Sequence, residues 1–360
     1  MQYGIVSKVI ERGENVKSFV LVPDPERGTS GFDPFRAGQY ISITQRIGKA
    51  VVCKSYSVCA DPADALDPNH SSYTVMLERN PAGFFSPQAL DHWKPGTRLL
   101  ISEPRSDPTW GNLNAVKHVV ALAGGSGITP FFALAGAVAD GLENYDLTIL
   151  YGNDRYDRIL LREELEEFVR RSNGKIRMVH VLSGEKRNGC EFGFITADLV
   201  KKYAPDGDYS ILICGPKPMY DFLYTELPRL GLPEDRICFG VPGEFGDPAS
   251  DPSYPHDAAE KVWTIKVRRG IEEQSVPCRS DQTLMQAVER AGIFIDAGCR
   301  SGVCGWCECG LLSGAVFVPE SRKQEDIETT GRIHPCVSYP LSDVAIELPD
   351  ISGIDLGFIG

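Results

Sequence analysis

The 360-residue chain has no apolar run approaching the roughly 18 residues a membrane-spanning helix needs, so membrane insertion is not expected. Nor is there an excess of positive charge: 37 Lys and Arg stand against 49 Asp and Glu, for a formal net charge of −12. This balance argues against nucleic acid or an anionic membrane as the main partner and fits a partner that carries a basic patch. The opening stretch MQYGIVSKVIERGENVKSFVLV has acidic residues in an alternating pattern and no small-residue cleavage site, so it does not read as a signal peptide. Internal repeats and long low-complexity tracts are missing, and the six histidines are scattered. The 42% hydrophobic and 24% charged residues are ordinary for a globular chain of two or three domains.

Sulfur, by contrast, is plentiful. There are 11 cysteines, an odd number without a secretory signal, which predicts a reducing, cytoplasmic setting rather than a disulfide scaffold. In such a setting clustered thiols point to metal. Within CRSGVCGWCECG, Cys299, Cys304 and Cys307 follow a C-x4-C-x2-C spacing, and 28 residues separate Cys307 from Cys336. This is the plant-type 2Fe–2S spacing with a distant fourth thiolate, and the nearby glycines let the loop bring backbone N–H groups to the sulfurs. A zinc site is the alternative, but zinc favours paired C-x2–4-C knuckles and only Cys304/Cys307 fits one. Cys309 is expected to be a non-ligand. His334 lies close to Cys336, but a Rieske-type centre needs two histidines and the four cysteines already complete a ligand set.

The organisation changes twice along the chain. Up to about residue 110, short alternating segments such as GIVSKVI, VKSFVLV, QYISIT and YTVML are separated by Gly/Pro turns and predict an antiparallel β-barrel. From about 115, β-branched runs alternate with helical stretches, which predicts a parallel doubly wound sheet. EELEEF, residues 163–168, reads as a solvated helix face. The Pro/Asp/Ser/Gly-rich stretch 243–261 reads as a linker, and the roughly 90 residues after it are few enough to gain from a metal staple.

In the central region, Gly124, Gly125, Ser126, Gly127, Ile128, Thr129 and Pro130 follow the strand HVVALA and open the helix FFALAGAVA. A strand, glycine turn and helix start form an anion-binding arrangement, although GGSG departs from G-x-G-x-x-G. Cys214, Gly215, Pro216 and Met219 stand at the end of the strand ILIC, where ligands of open α/β sheets bind. Read without context, Cys214 is a small core residue. Asn153, Asp154 and Arg155 follow another strand, where a ribose could sit.

Together these residues resemble the ferredoxin–NAD(P)H reductase superfamily. More narrowly, they resemble the class that joins a flavin domain, a nucleotide domain and a C-terminal plant-type ferredoxin in one chain. Besides the cysteine loop, the resemblance rests on AGQYISI (37–43), KSYS (54–57), GFFS (83–86), GGSGITP (124–130) and CGPKPM (214–219). It implies a multidomain protein: an antiparallel β-barrel flavin domain over 1–112, an α/β parallel-sheet nucleotide domain over 113–246, a linker over 247–261, an α+β β-grasp ferredoxin domain over 262–350 and a tail over 351–360.

The family's R-x-Y-S segment puts its arginine on the flavin phosphate and its Tyr and Ser against the isoalloxazine. Here Tyr56 and Ser57 match, and Lys54 replaces the arginine with a point charge that lacks the bidentate fork. Gly83, Phe84, Phe85 and Ser86 match the segment whose backbone amides meet the flavin phosphate; on their own they read as an ordinary N-cap. Cys214 is implied to orient and shield the nicotinamide. By family frequency FAD is expected, with FMN as the alternative; SEPRSDPTW (102–110), in the stretch relatives use near the flavin, departs from the usual glycine-containing form. Asp154 disfavours and Arg155 favours a 2′-phosphate, leaving NADH slightly ahead of NADPH.

By resemblance, the chain is an NAD(P)H-dependent oxidoreductase passing electrons through flavin and a 2Fe–2S cluster to a partner redox protein, often an oxygenase or hydroxylase component. A stand-alone quinone or small-molecule reductase and an electron-input subunit of a larger complex are the alternatives.

Overall fold

A computed structural model of the chain describes residues 1–64, 71–81, 83–107, 110, 116–240, 244, 246–322, 330–351 and 354–357. The first domain is a curled antiparallel sheet. Its strands are β1 (Gln2–Gly13), β2 (Val16–Pro23), β3 (Tyr40–Ile47), β4 (Ala50–Ser57), β5 (Tyr73–Glu78) and β6 (Arg98–Ile101), in the order β4-β3-β6-β1-β2-β5. The edges meet where Val58 bridges Val75 and the Cys59 amide donates to the Thr74 carbonyl at 2.7 Å, so the sheet closes as the alternating sequence predicts. Val6, Phe19, Ile41, Leu77 and Leu99 fill the interior without exposure, and helix α1 (Phe85–His92) caps it with Phe85 and Leu90. Gly48, at φ +60°, opens the two-residue turn that pairs β3 with β4.

The second domain is a parallel sheet. Its elements are β7 (His118–Gly124), α2 (Thr129–Ala139), β8 (Asp146–Asn153), α3 (Arg162–Arg171), β9 (Ile176–Leu182), β10 (Glu191–Phe192), α4 (Ala197–Tyr203), β11 (Ser210–Cys214), α5 (Lys217–Glu226) and β12 (Ile237–Phe239). The strand order β10-β9-β8-β7-β11-β12 puts the change of direction at β7/β11, so a crevice opens at the carboxyl ends of those strands. Helix α2 is buried almost along its length, and its Phe132 ring meets Phe168 of α3 at 4.9 Å. Within the EELEEF stretch, Leu165 and Phe168 are buried and Glu164 pairs with Arg12 of the barrel at 2.5 Å, so that face is only partly solvated.

The third domain has strands β13 (Val262–Arg269), β14 (Glu272–Arg279), β15 (Cys309–Ser313), β16 (Val316–Phe317), β17 (Arg332–Ile333), β18 (Tyr339–Pro340) and β19 (Val344–Glu347) around helix α6 (Leu284–Arg290). Five strands form a mixed sheet in the order β14-β13-β19-β15-β17, with β13 and β19 parallel, the expected β-grasp arrangement. Thr283 begins α6 with a reciprocal capping box to Gln286.

Two segments differ in character from their sequence. Residues 247–261 are not a free tether: Tyr254 is buried edge-on against Phe317 at 5.0 Å, and the Glu320 amide donates to Asp251. An aromatic ring among polar residues anchors the segment to the third domain. The tail returns to the barrel, where Ile351, Ile354 and Leu356 pack with Met1 and Tyr3, and Arg27 meets Asp355 at 3.1 Å. The first domain boundary, residues 111–115, lies outside the described residues, as do Pro108 and Thr109 of SEPRSDPTW, Gly243 and Phe245 of the expected linker stretch, and 352–353 and 358–360 of the tail.

Candidate redox site

The cysteine loop runs from the end of α6 into β15. Arg300 (φ +55°) and Gly302 (φ +85°) turn the chain sharply, and the Arg300 side chain is held there by the Cys53 carbonyl, Glu289 and Glu244. The amides of Ser301, Val303 and Cys304 point at Cys299 Sγ from 3.4, 3.3 and 3.3 Å, and the Cys299 amide points at Cys304 Sγ from 3.3 Å. Donation from the Cys304 thiol, then from Ser301 and the Cys304 amide, holds the Cys299 thiol well below its usual range against the effect of burial. Across the loop, Cys307 Sγ and Cys336 Sγ lie 3.4 Å apart. The thiols therefore stand in two pairs. Among the described residues no three His, Cys, Asp or Glu side chains converge as a single-ion site. Two thiolate pairs with amides aimed at sulfur fit a two-iron centre better than one zinc ion. Cys309 is wholly buried in the core of this domain.

At the carboxyl ends of β7, β8 and β11 lies a cavity of about 840 Å³. Of the residues expected to bind nucleotide, Gly124, Gly125, Ser126, Asn153, Asp154, Pro216 and Met219 line it. Gly127, Ile128, Thr129 and Pro130 lie beneath as support, and a Cβ on Gly127 would strike the Cys214 carbonyl. Ser126 Oγ donates to Glu78 of β5 at 2.5 Å, tying the glycine loop to the barrel. Cys214 and Gly215 form the wall behind that loop, and burial pushes the Cys214 thiol up to about 12, so it is neutral near pH 7. Arg155 is turned to Asp157 at 3.0 Å and is not among the lining residues. The cation in the lining beside Asp154 is Arg158, which donates to Asp154 Oδ2 at 2.7 Å. Arg158, Phe194 and Phe222, also at the wall, were not expected from the sequence. Only the crevice rule of open sheets signals them.

The flavin motif occupies β4. Strand alternation puts Lys54 and Tyr56 on one face and Cys53, Ser55 and Ser57 on the other. The Tyr56 ring lies 5.9 Å from Phe85 of the GFFS segment, so these two parts meet. Gly83 and Phe84 lead into α1, and Ser86 Oγ accepts from the Asn80 amide at 2.9 Å. Tyr40 pairs with Ser57 across the hairpin, and its buried hydroxyl has no hydrogen-bond partner among the described residues. Neither does buried Trp110 Nε1, next to Gly38. The Tyr40 hydroxyl lies on the side of Gly298 and the cysteine loop, and there it fits a bound group that offers acceptors. Lys54, expected at the flavin phosphate, forms an ion pair with Glu244. Burial, then Arg300, lower the Lys54 pKa.

The opposite face of β3–β4 carries the cysteine domain. Ser42 Oγ donates to the Ala297 carbonyl at 2.5 Å and Ser55 Oγ to the Gly298 carbonyl at 2.8 Å. Arg105 reaches from the barrel to Asp296 at 2.7 Å, while Arg300 reaches back to the Cys53 carbonyl at 2.8 Å and is held by buried Glu289. Glu244 bridges Lys54 and Arg300. Burial alone would raise the Glu244 pKa, but these two cations bring it down to about 2. No local pattern signals this charge seam, although Arg300 adjoins Cys299 and Arg105 stands inside SEPRSDPTW.

Two family models match the chain: an oxidoreductase NAD-binding domain over residues 121–224 and a 2Fe–2S iron–sulfur cluster binding domain over 268–341. The ferredoxin reductase component of 3-ketosteroid-9-alpha-monooxygenase from Rhodococcus rhodochrous is 29% identical over 352 residues, covering 94% of each chain. NADH-cytochrome b5 reductase 1 from Candida glabrata is 31% identical over 213 residues, covering 56% of this chain and 73% of that one. In fold, the chain matches phthalate dioxygenase reductase, described as a modular structure for electron transfer from pyridine nucleotides to [2Fe–2S], with a TM-score of 0.63 at 20% identity over 97% of both chains. With a flavin-type barrel, a nucleotide crevice and a paired-thiolate loop in one polypeptide, the chain belongs to the ferredoxin–NAD(P)H reductase superfamily as a flavin and iron–sulfur oxidoreductase with a plant-type 2Fe–2S domain.

Proposed function

We propose that the chain is the reductase component of an oxygenase system: it takes an electron pair from NADH and hands single electrons to a separate oxygenase protein. The observation that carries this reading is the position of β4. One face of this strand bears Tyr56 against Phe85, and the other bonds Ser55 to the cysteine loop at 2.8 Å. When bound, the flavin supplies two-electron to one-electron conversion and the cluster supplies one-electron carriage. Cys299, Cys304, Cys307 and Cys336 hold the cluster. Tyr56 and Ser57 orient the flavin, and the amides of Gly83, Phe84, Phe85 and Ser86 receive its phosphate while Lys54 is committed to Glu244. FAD is preferred to FMN.

Gly124, Gly125 and Ser126 cradle the nucleotide phosphates, supported by Gly127, Ile128, Thr129 and Pro130, with Pro216 and Met219 opposite. Cys214 and Gly215 shape the nicotinamide end, and the neutral Cys214 thiol shields rather than attacks. Asn153 and Asp154 meet the ribose. Asp154 neutralises Arg158 and Glu164 neutralises Arg12, so among the described residues both cations of the lining are already paired, and NADH is favoured. The oxygenase partner is supported by the full-length likeness to the ketosteroid monooxygenase reductase component. All eleven cysteines are unpaired, which supports a cytoplasmic setting. Among the described residues no helix is long and apolar enough to cross a membrane.

The test is purification followed by metal and cofactor analysis, then titration with an oxygenase component under NADH. About two irons per chain and NADH-dependent reduction of the oxygenase are expected. One zinc per chain without sulfide, or reduction of quinones with no transfer to any protein, would reject the proposal.

A further inference from the structure

We propose that Arg105 and Arg300 are positioning residues that lock the cluster domain onto the flavin barrel, so that the flavin-to-cluster distance stays constant through turnover. This rests on the site assignment above. The two side chains cross the same seam in opposite directions. Arg105 comes from the barrel and is 7% exposed. Its guanidinium grips both Asp296 oxygens, at 3.0 and 2.7 Å, and also donates to Ser42 Oγ at 3.2 Å. Its guanidinium carbon lies 3.7 Å from the ring centre of Trp306, between Cys304 and Cys307. The backbone of Arg105 is bonded both ways to Tyr40, at 2.9 and 2.8 Å, and Tyr40 pairs with Ser57. One residue thus connects the flavin motif to the cluster loop.

Arg300 comes from the cluster loop itself and is 5% exposed. It donates to the Cys53 carbonyl at 2.8 Å, one residue before the flavin motif, and grips both Glu289 oxygens at 2.7 and 2.8 Å. The Cys53 amide donates to the same Glu289 at 3.1 Å. Between the two arginines lie the Ser42 and Ser55 bonds to the carbonyls of Ala297 and Gly298. Asp296, Ala297, Gly298 and Arg300, which flank the first proposed ligand Cys299, are therefore each bonded to the barrel. Buried, bidentate, fully partnered guanidinium groups of this kind act as geometric clamps, and lysine lacks the fork to replace them. A swinging domain would have to break the Arg105–Asp296 pair, the Arg300–Cys53 bond and both serine-to-carbonyl bonds at each opening, so these contacts favour one fixed arrangement.

The test uses the full-length, flavin- and iron-loaded protein and three variants: Arg105→Leu, Arg300→Leu and the exchange Arg105→Asp/Asp296→Arg. Iron, flavin, small-angle scattering and the rate of cluster reduction after mixing with NADH are measured. In Arg105→Leu, flavin bleaching by NADH and iron content should persist, the radius of gyration should rise, and cluster reduction should slow by about tenfold or more. Arg300→Leu should move both readouts in the same direction, and the exchange should restore compactness and most of the rate. Unchanged scattering and an unchanged rate in an iron-loaded Arg105→Leu would overturn the proposal. Should Arg105→Leu lose its iron, the exchange variant decides: recovered iron and compactness support the clamp, and no recovery rejects it. A wild-type protein without iron would instead reject the underlying site assignment.

Discussion

The barrel meets its two neighbours in different ways, although Val16, Cys59 and Met76 do pack into the nucleotide domain's core beside the crevice. Toward the nucleotide domain lies an open cavity of about 840 Å³, whose ion pair Asp154–Arg158 is solvent-exposed on both sides. Toward the cysteine domain there is a closed seam, crossed by Arg105 and Arg300 and sealed by serine-to-carbonyl bonds. The difference matches what each side handles. A nicotinamide nucleotide must arrive and leave every cycle, so its site is held by backbone and weak surface charges. An electron donor and acceptor held within one chain gain nothing from separating, so their junction can be buried.

Removing the cluster side should have the largest effect. Cys336→Ser takes one thiolate from the Cys307 pair, and the iron should become labile because oxygen is a poorer match for this site. Cytochrome c reduction should fall sharply while NADH still bleaches the flavin and ferricyanide is still reduced. Wild-type cytochrome c activity in flavin-loaded protein would place the exit at the flavin, and the seam would lose its purpose.

On the nucleotide side, Gly127→Ala drives a methyl group into the Cys214 carbonyl. Both walls are backbone, so overpacking should cost about 2 kcal/mol in thermal or urea unfolding and raise KM for NADH. A variant with native stability and native KM would show that the glycine loop yields more easily than its packing suggests.

The seam should also respond to acid in a way the cavity does not. Glu244 has its folded pKa lowered to about 2, below an unfolded value of about 4.3, so its contribution is present above pH 4.3 and is lost as pH falls toward 2. The contribution should be at most about 2 kcal/mol, since the carboxylate is 29% exposed. Wild type should therefore lose more stability between pH 4.5 and pH 2.5 than Glu244→Gln, and parallel pH profiles for the two proteins would remove Glu244 from the seam.

The smallest effect belongs to the cavity mouth. Asp154→Ala leaves Arg158 without its carboxylate, which should improve kcat/KM for NADPH relative to NADH by about 1 kcal/mol. Combining it with Arg158→Ala should cancel the gain. An unchanged ratio in the single variant would mean that this pair does not meet the ribose.

Local signals carried much of the architecture and the metal loop. The C-x4-C-x2-C spacing with Cys336, the alternating strands before residue 110 and the strand–glycine–helix start at 118–139 depend on near neighbours in the chain, so sequence periodicity reveals them. By themselves they determined three domains, their order and the ligand set worth testing. Other features depend on residues far apart in the chain. Arg158 rather than Arg155 beside Asp154, Tyr254 as an anchor in an apparent linker, and Lys54 paired with Glu244 could not be read from either partner alone. The seam is the extreme case: Arg105 meets Asp296 191 residues away, and Arg300 meets Cys53 across 247. Nothing in the local pattern of either arginine distinguishes a buried clamp from a solvated surface charge. Only the docking of one folded domain on another removed water from those guanidinium groups, and their pairing across the seam followed from that burial.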